Sequence, residues 1–403
     1  MDMPAKKPWL AHYPPSVAAT VDAGSDASLS TLLDQAFRRH AARPAAVLMG
    51  RELGFRQVDE LADALGAWLQ ARGVVKGTRV ALMMPNLLQY LVALAAVLRV
   101  GAVVVNVNPL YTARELQFQL KDSGAEVIVV LENFAATLEE VIDRTVVKHV
   151  VLVSMGDLLG FWKGQLVNFV VRNVKKMVPA FTLPLTEGRS VTRFNMAIAE
   201  GTRLKLVRPP VGPDDVAFLQ YTGGTTGVSK GATLLHRNVV ANVMQTEAWF
   251  RPMLDKVGGQ QIVCVCALPL YHIYALMLCF VMGARLGMKN LLIPNPRDIP
   301  RPRQDADEAP RQHVPGRQHA VQRAGQQRRV RAARLLRSGG VHRRWHGLPA
   351  GHRREMAAHH RLPDGRGLRP VGDLAAGHLQ PAGPAAVQRQ RRPADPVDRD
   401  RDP

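Results

Sequence analysis

Apolar residues in the first 300 positions switch repeatedly between two spacings. Leu61–Leu69 places its apolar side chains at helical intervals and predicts a helix. Arg79–Met84 is a short, nearly continuous apolar run stopped by Pro85 and Asn86, the pattern of a strand covered on both faces. Leu87–Leu98 is apolar over a helix length, and Gly101 separates it from the strand-like Ala102–Val107. Ala113–Asp122 reads as a helix, and Glu126–Val130, His149–Val153 and Val216–Gln220 read as strands. This strand–helix rhythm predicts an α/β architecture with mostly parallel sheets and packed helices over residues 1–300.

Two further apolar stretches invite a membrane reading. Cys266–Ala284 is long and uncharged, but it contains Pro269, Tyr271 and His272, so a buried helix is expected. The segment 158–181 mixes Phe161, Trp162, Phe169 and Met177 with Lys163, Arg172, Lys175 and Lys176. Two readings stand for it: an amphipathic helix lying on a membrane surface, or a surface helix packed on its own domain.

Composition breaks at Pro300. Residues 301–403 hold 22 Arg, no Lys and 10 acidic residues, so +12 of the chain's +20 net charge sits there. The same segment lacks Ile, Phe and Tyr, and Trp345 is its one aromatic residue, so it has little with which to fill a core. A disordered Arg/Pro-rich tail is expected. A basic nucleic-acid arm and an ordinary linker are possible origins, although no specific nucleic acid is expected without lysine or interleaved aromatics. Translation of a GC-rich gene in the wrong frame accounts for the composition better. Shifted by one nucleotide, with wobble bases free, Val341–Met356 can read SIGGGMACQQATAEKW and Arg361–Leu374 can read GCPMAEGYGLSETS.

Cys264, Cys266 and Cys279 fall in one short stretch, fit a reducing compartment and form no zinc spacing. Met1–Leu10 has no apolar core of a secretory signal. A cytoplasmic location is expected, with peripheral contact on the inner face of the cell membrane through 158–181 as its companion.

The densest chemical signal is Tyr221–Gly231, YTGGTTGVSKG, directly after a strand. Gly223, Gly224 and Gly227 allow backbone N–H groups to turn inward around a phosphate. Thr222, Thr225, Thr226 and Ser229 offer hydroxyls, and Lys230 a mobile cation. Lys230 is followed by Gly231, so this is not a Walker A loop.

That stretch resembles the phosphate-binding signature of the acyl-adenylate-forming (AMP-binding) superfamily. Leu98–Val103 with Asn106–Pro109, and Leu268–Tyr274, resemble two further blocks. Pro109–Thr112, 156–181 and Asn295–Pro300 are most similar to bacterial long-chain fatty-acid–CoA ligases. The resemblance covers 1–300 and implies an incomplete adenylation domain, the N-terminal part of the large adenylate-forming domain. It implies ATP, Mg²⁺ and CoA as cofactors and a long-chain fatty acid as substrate. The fatty acid forms an acyl-adenylate, which the CoA thiol then attacks. Thr222, Gly223, Gly224, Thr225, Thr226, Gly227 and Lys230 would hold the phosphates, with Thr225 on the Mg²⁺ side. Lys230 and His272 would be catalytic, His272 lying between adenylate and acyl pocket. Tyr271 and Tyr274 are expected to pack, and Met277, Phe280 and Val281 to pack in the core or line an acyl tunnel.

The family's Tyr-Gly-x-Thr/Ser-Glu block, its ribose-binding Asp, its hinge and its C-terminal lid domain with a catalytic Lys have no counterpart in the residues as written. The lineage is therefore read as a fatty-acid–CoA ligase and this chain as inactive. A non-catalytic nucleotide-binding fragment and a basic nucleic-acid-binding protein are the alternatives.

Overall fold

The computed structural model describes residues 7–22, 24, 28–185, 188–222 and 229–295. The tail 301–403, expected to be disordered, lies outside them.

Two sheets organise this part of the chain. β1 (Pro44–Leu48) and β2 (Arg51–Gly54) form a hairpin, and β10 (Val263–Cys266) and β11 (Lys289–Leu292) join it in the order β10-β11-β1-β2. β11 runs parallel to both β1 and β10. The larger sheet has the order β7-β6-β5-β3-β4-β8-β9. It comprises β3 (Arg79–Met83), β4 (Val103–Asn106), β5 (Val127–Leu131), β6 (His149–Val153), β7 (Ser190–Arg193), β8 (Val216–Thr222) and β9 (Lys230–Leu235). Its pairings are parallel except for the β8–β9 hairpin. The strands expected from the apolar runs are all present, and every residue of β4 and β5 is buried, as continuous Val/Ile/Leu runs require.

The helices expected from spacing also form: α2 (Phe55–Ala71), α3 (Leu88–Arg99) and α4 (Ala113–Ser123). Local chemistry sets their ends. Ser28 caps α1 (Leu29–Arg39) by accepting from Thr31 N at 3.1 Å. Thr112 and Glu115 form a capping box at the start of α4, and Gly124, with φ 61°, ends it in the left-handed region. α3 is buried along its whole length, against β1 of one sheet and β3 and β4 of the other. A helix apolar on every face has no stable place at a surface, and this one fills the space between the layers.

The stretch Cys266–Ala284 is not one helix. Cys266 closes β10, a loop follows, and helix begins only at α9 (Ile273–Ala275), continuing through a π-helical segment (Leu276–Val281) into α10 (Met282–Leu286). Pro269 lies in the loop, where its missing N–H does no harm. Among the described residues no helix is long and apolar enough to cross a membrane.

Arg99, at the C-terminal end of α3, is the one full charge inside that helix, and its side chain is 2% exposed. Burial alone favours the neutral guanidine, but Asp34, Asp59 and Asp63 outweigh it and raise the pKa. Nε donates to Asp34 Oδ1 at 2.8 Å, and Nη1 to the Asp59 carbonyl at 2.7 Å and Asp63 Oδ1 at 3.0 Å. Nη2 donates to the Asp59 carboxylate. The exposed rim is closed by Arg208, which donates to Asp63 at 2.8 Å and to Asp34. At the other side of α1, the imidazole of His236 accepts the otherwise unpaired Leu29 N–H through Nδ1 at 3.0 Å. Burial holds its pKa down to about 4, against the pull of Asp215.

Arg99→Met should lower stability by about 3 kcal/mol, because it strands carboxylates that were gathered around one cation. Urea unfolding checks this, and an unchanged midpoint would refute it. His236 takes up its proton at a different pH in the two states. The unfolded imidazole takes its proton near pH 6.5 and the folded one only near 4. Stability is therefore complete above the higher value and declines as pH falls between the two, by up to about 3 kcal/mol. His236→Gln should remove that slope from unfolding free energies measured across the same pH range.

Candidate functional site

The carboxyl ends of parallel strands are where an α/β sheet leaves its loops free for ligands. Here the ends of β4 and β8 each carry a polar residue where the strand pattern calls for an apolar one: Asn106 and Gln220, both buried. A buried amide must find partners, and these two find each other. Asn106 Nδ2 donates to Gln220 Oε1 at 3.0 Å. Gln220 Nε2 donates to the Tyr271 carbonyl at 3.2 Å. The hydroxyl of Tyr90, from the first turn of α3, donates to Asn106 Oδ1 at 2.6 Å and lies 3.1 Å from the Leu270 carbonyl.

Asn86, between β3 and α3, completes the array. Its Nδ2 lies 2.9 Å from the carbonyls of Cys266 and Leu268 and 3.2 Å from that of Ile293. Its Oδ1 accepts the Leu270 N–H at 2.7 Å. One amide thus fastens the loop between β10 and α9 to the front of the larger sheet. That loop carries His272.

The β8–β9 hairpin stands beside it. Tyr221 donates its hydroxyl proton to Asp122 Oδ2 at 2.5 Å, and burial raises its pKa. Its ring covers Gly231 so closely that a Cβ there would lie 2.9 Å from Tyr221 Cζ, which makes glycine a requirement of the approach. Thr222 and Lys230 are direct partners across the hairpin. Ser229 Oγ donates to the Thr222 carbonyl at 2.9 Å, and Ser229 lies close enough to the half-buried Tyr111 to offset part of the rise that burial gives its pKa. Tyr271 is close enough to Tyr111 for its own pKa to rise, after burial, through that neighbour. Loop 108–112, the hairpin and loop 266–272 therefore meet at one place.

Of the residues singled out from sequence, Thr222 and Lys230 stand at the two stems of the Gly/Thr loop, both exposed. Gly223, Gly224, Thr225, Thr226 and Gly227 lie outside the described residues. His272 is exposed and occupies the N-cap position of α9, its N–H bonded to the Pro269 carbonyl at 3.0 Å. Tyr271 is half-buried as expected, whereas Tyr274 is exposed because it points off the first turn of α9. Phe280 and Val281 belong to the main core, and Met277 packs against it. The amides Asn86, Asn106 and Gln220, and Tyr90 with them, had no assigned part. A polar residue toward the carboxyl end of an otherwise apolar buried strand is the signal by which Asn106 and Gln220 could have been found.

Thr222, Ser229 and Lys230 have the donor chemistry that a phosphate group requires. No carboxylate pairs with Lys230 among the described residues, so its ammonium is free beside two hydroxyl-bearing neighbours at the mouth of a loop rich in glycine. For Mg²⁺ the described residues offer no cluster of His, Cys, Asp or Glu, so they do not supply a metal site.

Comparison with known proteins bears on the same region. The chain is 51% identical over 296 residues to a long-chain-fatty-acid–CoA ligase of Escherichia coli O157:H7, covering 73% of this chain and 51% of that protein. It is 31% identical over 293 residues to a ligase of the same name from Bacillus subtilis, covering 72% and 50%. The chain thus spans about half the length of the curated relatives it matches. In fold it is similar to the crystal structure of a long-chain-fatty-acid-CoA ligase from Archaeoglobus fulgidus, with TM-score 0.52 and 23% identity over 68% of this chain and 48% of that one. Residues 33–314 match the family described as AMP-binding enzyme, and the chain belongs to this family.

Proposed function

We propose that this chain carries the ATP-gripping half of an enzyme that activates a long-chain fatty acid as its adenylate and passes it to CoA. The observation that supports the reading is Lys230, without an ion-pair partner among the described residues, beside Thr222 at the stems of the Gly/Thr loop, on the carboxyl edge of a parallel sheet. In the first step a carboxylate oxygen bonds to the α-phosphorus of ATP and the bond to the β-phosphate oxygen breaks, releasing pyrophosphate. That step asks the protein for charge neutralisation and alignment more than for covalent chemistry. Lys230 would take the growing charge on the leaving phosphates, with Thr222, Gly223, Gly224, Thr225, Thr226 and Gly227 donating around them. In the second step the CoA thiolate attacks the acyl carbonyl and AMP leaves. His272, held at the loop end by the Asn86 and Gln220 amides, would face the junction of adenylate and acyl chain. Mg²⁺ would offset phosphate charge; Thr225 is the proposed hydroxyl on its side, and no step is assigned through the metal.

Residues 1–300 are proposed to be the adenylation part and residues 301–403 an out-of-frame translation. The chain then lacks the adenine, ribose and lid groups and is catalytically silent, although it keeps a phosphate grip. Contact of 158–181 with the inner face of the cell membrane belongs to the same picture.

Palmitate-dependent ATP–pyrophosphate exchange should be absent from the 403-residue chain and appear when the frame is restored near codon 300. Exchange by the chain itself at a ligase-like rate would overturn the inactivity. A nucleotide read across codons 299–303 should reveal a base gained or lost. Equilibrium dialysis should find weak ATP binding that Lys230→Ala reduces about tenfold, the worth of one charge-assisted contact; equal binding by both would remove the phosphate role.

A further inference from the structure

The smaller sheet is finished on one face only. Ala46, Leu48, Cys266, Asn290 and Leu292 share its inner face, and all are buried. The helical connection from β10 to β11 lies on that side, with Cys279 Sγ 3.7 Å from Cys264 Sγ. On the opposite face the register aligns Val47 with Leu291 and Leu291 with Val265. This apolar row crosses three strands and is only half-buried, and Val263 beside it is 46% exposed. The ion pair of Lys289 with Glu52, at 3.0 Å, flanks the row. Parallel strands belong to sheets covered on both faces, and here one cover is missing.

The same sheet ends on an open strand. The Ile262 carbonyl accepts from Lys289 N at 2.9 Å and the Cys266 carbonyl from Ile293 N at 3.1 Å. The even-numbered residues of β10 therefore bond to β11. Alternation turns the N–H and C=O of Val263 and Val265 to the other side, where no described strand pairs with them. β2, at the far edge, carries exposed Arg51 and Glu52. β10 reads Val-Cys-Val-Cys, with no charge or proline to turn a strand away.

One unit closes both openings. Parallel crossovers are right-handed, so a connection running back past β10 lies on the face opposite to the one from β10 to β11. A chain leaving β11 in that direction lays its helix over Val47, Leu291 and Val265 and sets its strand beside β10. The match covers 51% of the Escherichia coli O157:H7 ligase, so that protein carries about as much chain again. In this chain residues 301–403 have no Ile, Phe or Tyr with which to build such a unit.

We propose that the bare face and the free edge of β10 form a docking site for a helix–strand segment of another chain, the continuation that follows β11 in an unbroken ligase of this family. The apolar side of its helix meets Val47, Leu291 and Val265, and its strand pairs in parallel with β10. The choice of occupant rests on reading 301–403 as out of frame.

Peptide titration of the full chain tests it. The probe is a fluorescein-labelled peptide of about 30 residues, the span of a crossover helix and its strand, copied from the stretch after the matched part of the Escherichia coli O157:H7 ligase. Its anisotropy should rise to saturation. A scrambled peptide of the same composition should show no saturable rise, which separates docking from attraction to the +12 of residues 301–403. Val265→Pro removes an N–H that the sheet does not use, a change an edge strand tolerates. Val263→Lys puts a charge at an exposed position and should leave the thermal midpoint in place. Each should weaken binding about tenfold, the worth of one hydrogen bond or of one buried charge only partly hydrated. Absence of saturation, equal binding of the scrambled peptide, or undiminished binding by both variants overturns the proposal. So does a dimer of the chain that Val263→Lys splits, which would assign the edge to a second copy. No ATP is present, so docking and the fatty-acid reading fail or stand separately.

Discussion

A helix with no exposed face dictates much of this architecture. Once α3 is buried between two sheets, its charge and its tyrosine hydroxyl must be answered from within the protein. At its C-terminal end the answer is the carboxylate ring around Arg99, which draws α1, α2 and the segment bearing Arg208 onto one point. At its N-terminal end the answer is the hydrogen-bond array of Tyr90, with Asn86 just before it, which fixes the loops of the candidate site. Stability and site geometry are thus two ends of one element.

That arrangement explains why the candidate site can expose a lone cation. Around Arg99 the protein collects aspartates; around Lys230 it places hydroxyls, backbone and tyrosine rings. An ammonium already paired would lose a partner on meeting phosphate, and the net gain would be small. An exposed ammonium without an ion-pair partner gives up only hydration. The tyrosines near it stay neutral, since burial moves both Tyr111 and Tyr221 further from ionisation. Asp122, the carboxylate next to Tyr221, is engaged by the tyrosine hydroxyl and makes no ion pair with Lys230 among the described residues.

Spacing alone located β3 to β6, β8 and α2 to α4, because continuous apolar runs and heptad-like intervals are direct consequences of burial on two faces or one. The pattern failed where one apolar run served two elements. Cys266–Ala284 looked uniform, yet Cys266 belongs to a strand and Leu276 to a helix, and only Pro269 between them hinted at the break. The Gly/Thr loop stood out in the sequence because glycine, threonine and lysine in that density have few structural uses, and its central residues 223–228 lie outside the described residues. The amides that hold His272 in place were not, since Asn86 and Gln220 act across 184 and 51 positions of sequence and no local rule connects them. In 158–181 the helix packs on its own domain through Gly164 and Asn168, while Phe161, Trp162, Leu166 and Phe169 are exposed.

Those long separations impose an order on assembly. The larger sheet can grow locally, since β3, β4, β5 and β6 follow one another through short crossovers. The smaller sheet cannot, because β1 waits for β11, and the pair Ala46–Asn290 closes a very long loop. Until β11 arrives, β1 has only β2 beside it, and Asn86 lacks the Ile293 carbonyl. The loop bearing His272 therefore gains its final position only when residues near 290 are in place. The change in composition comes at Pro300, just after that last strand. Residues up to 295 suffice to tie both sheets to α3, so a fault in the following codons would leave this part of the fold with its own closing contacts while altering what is built upon it.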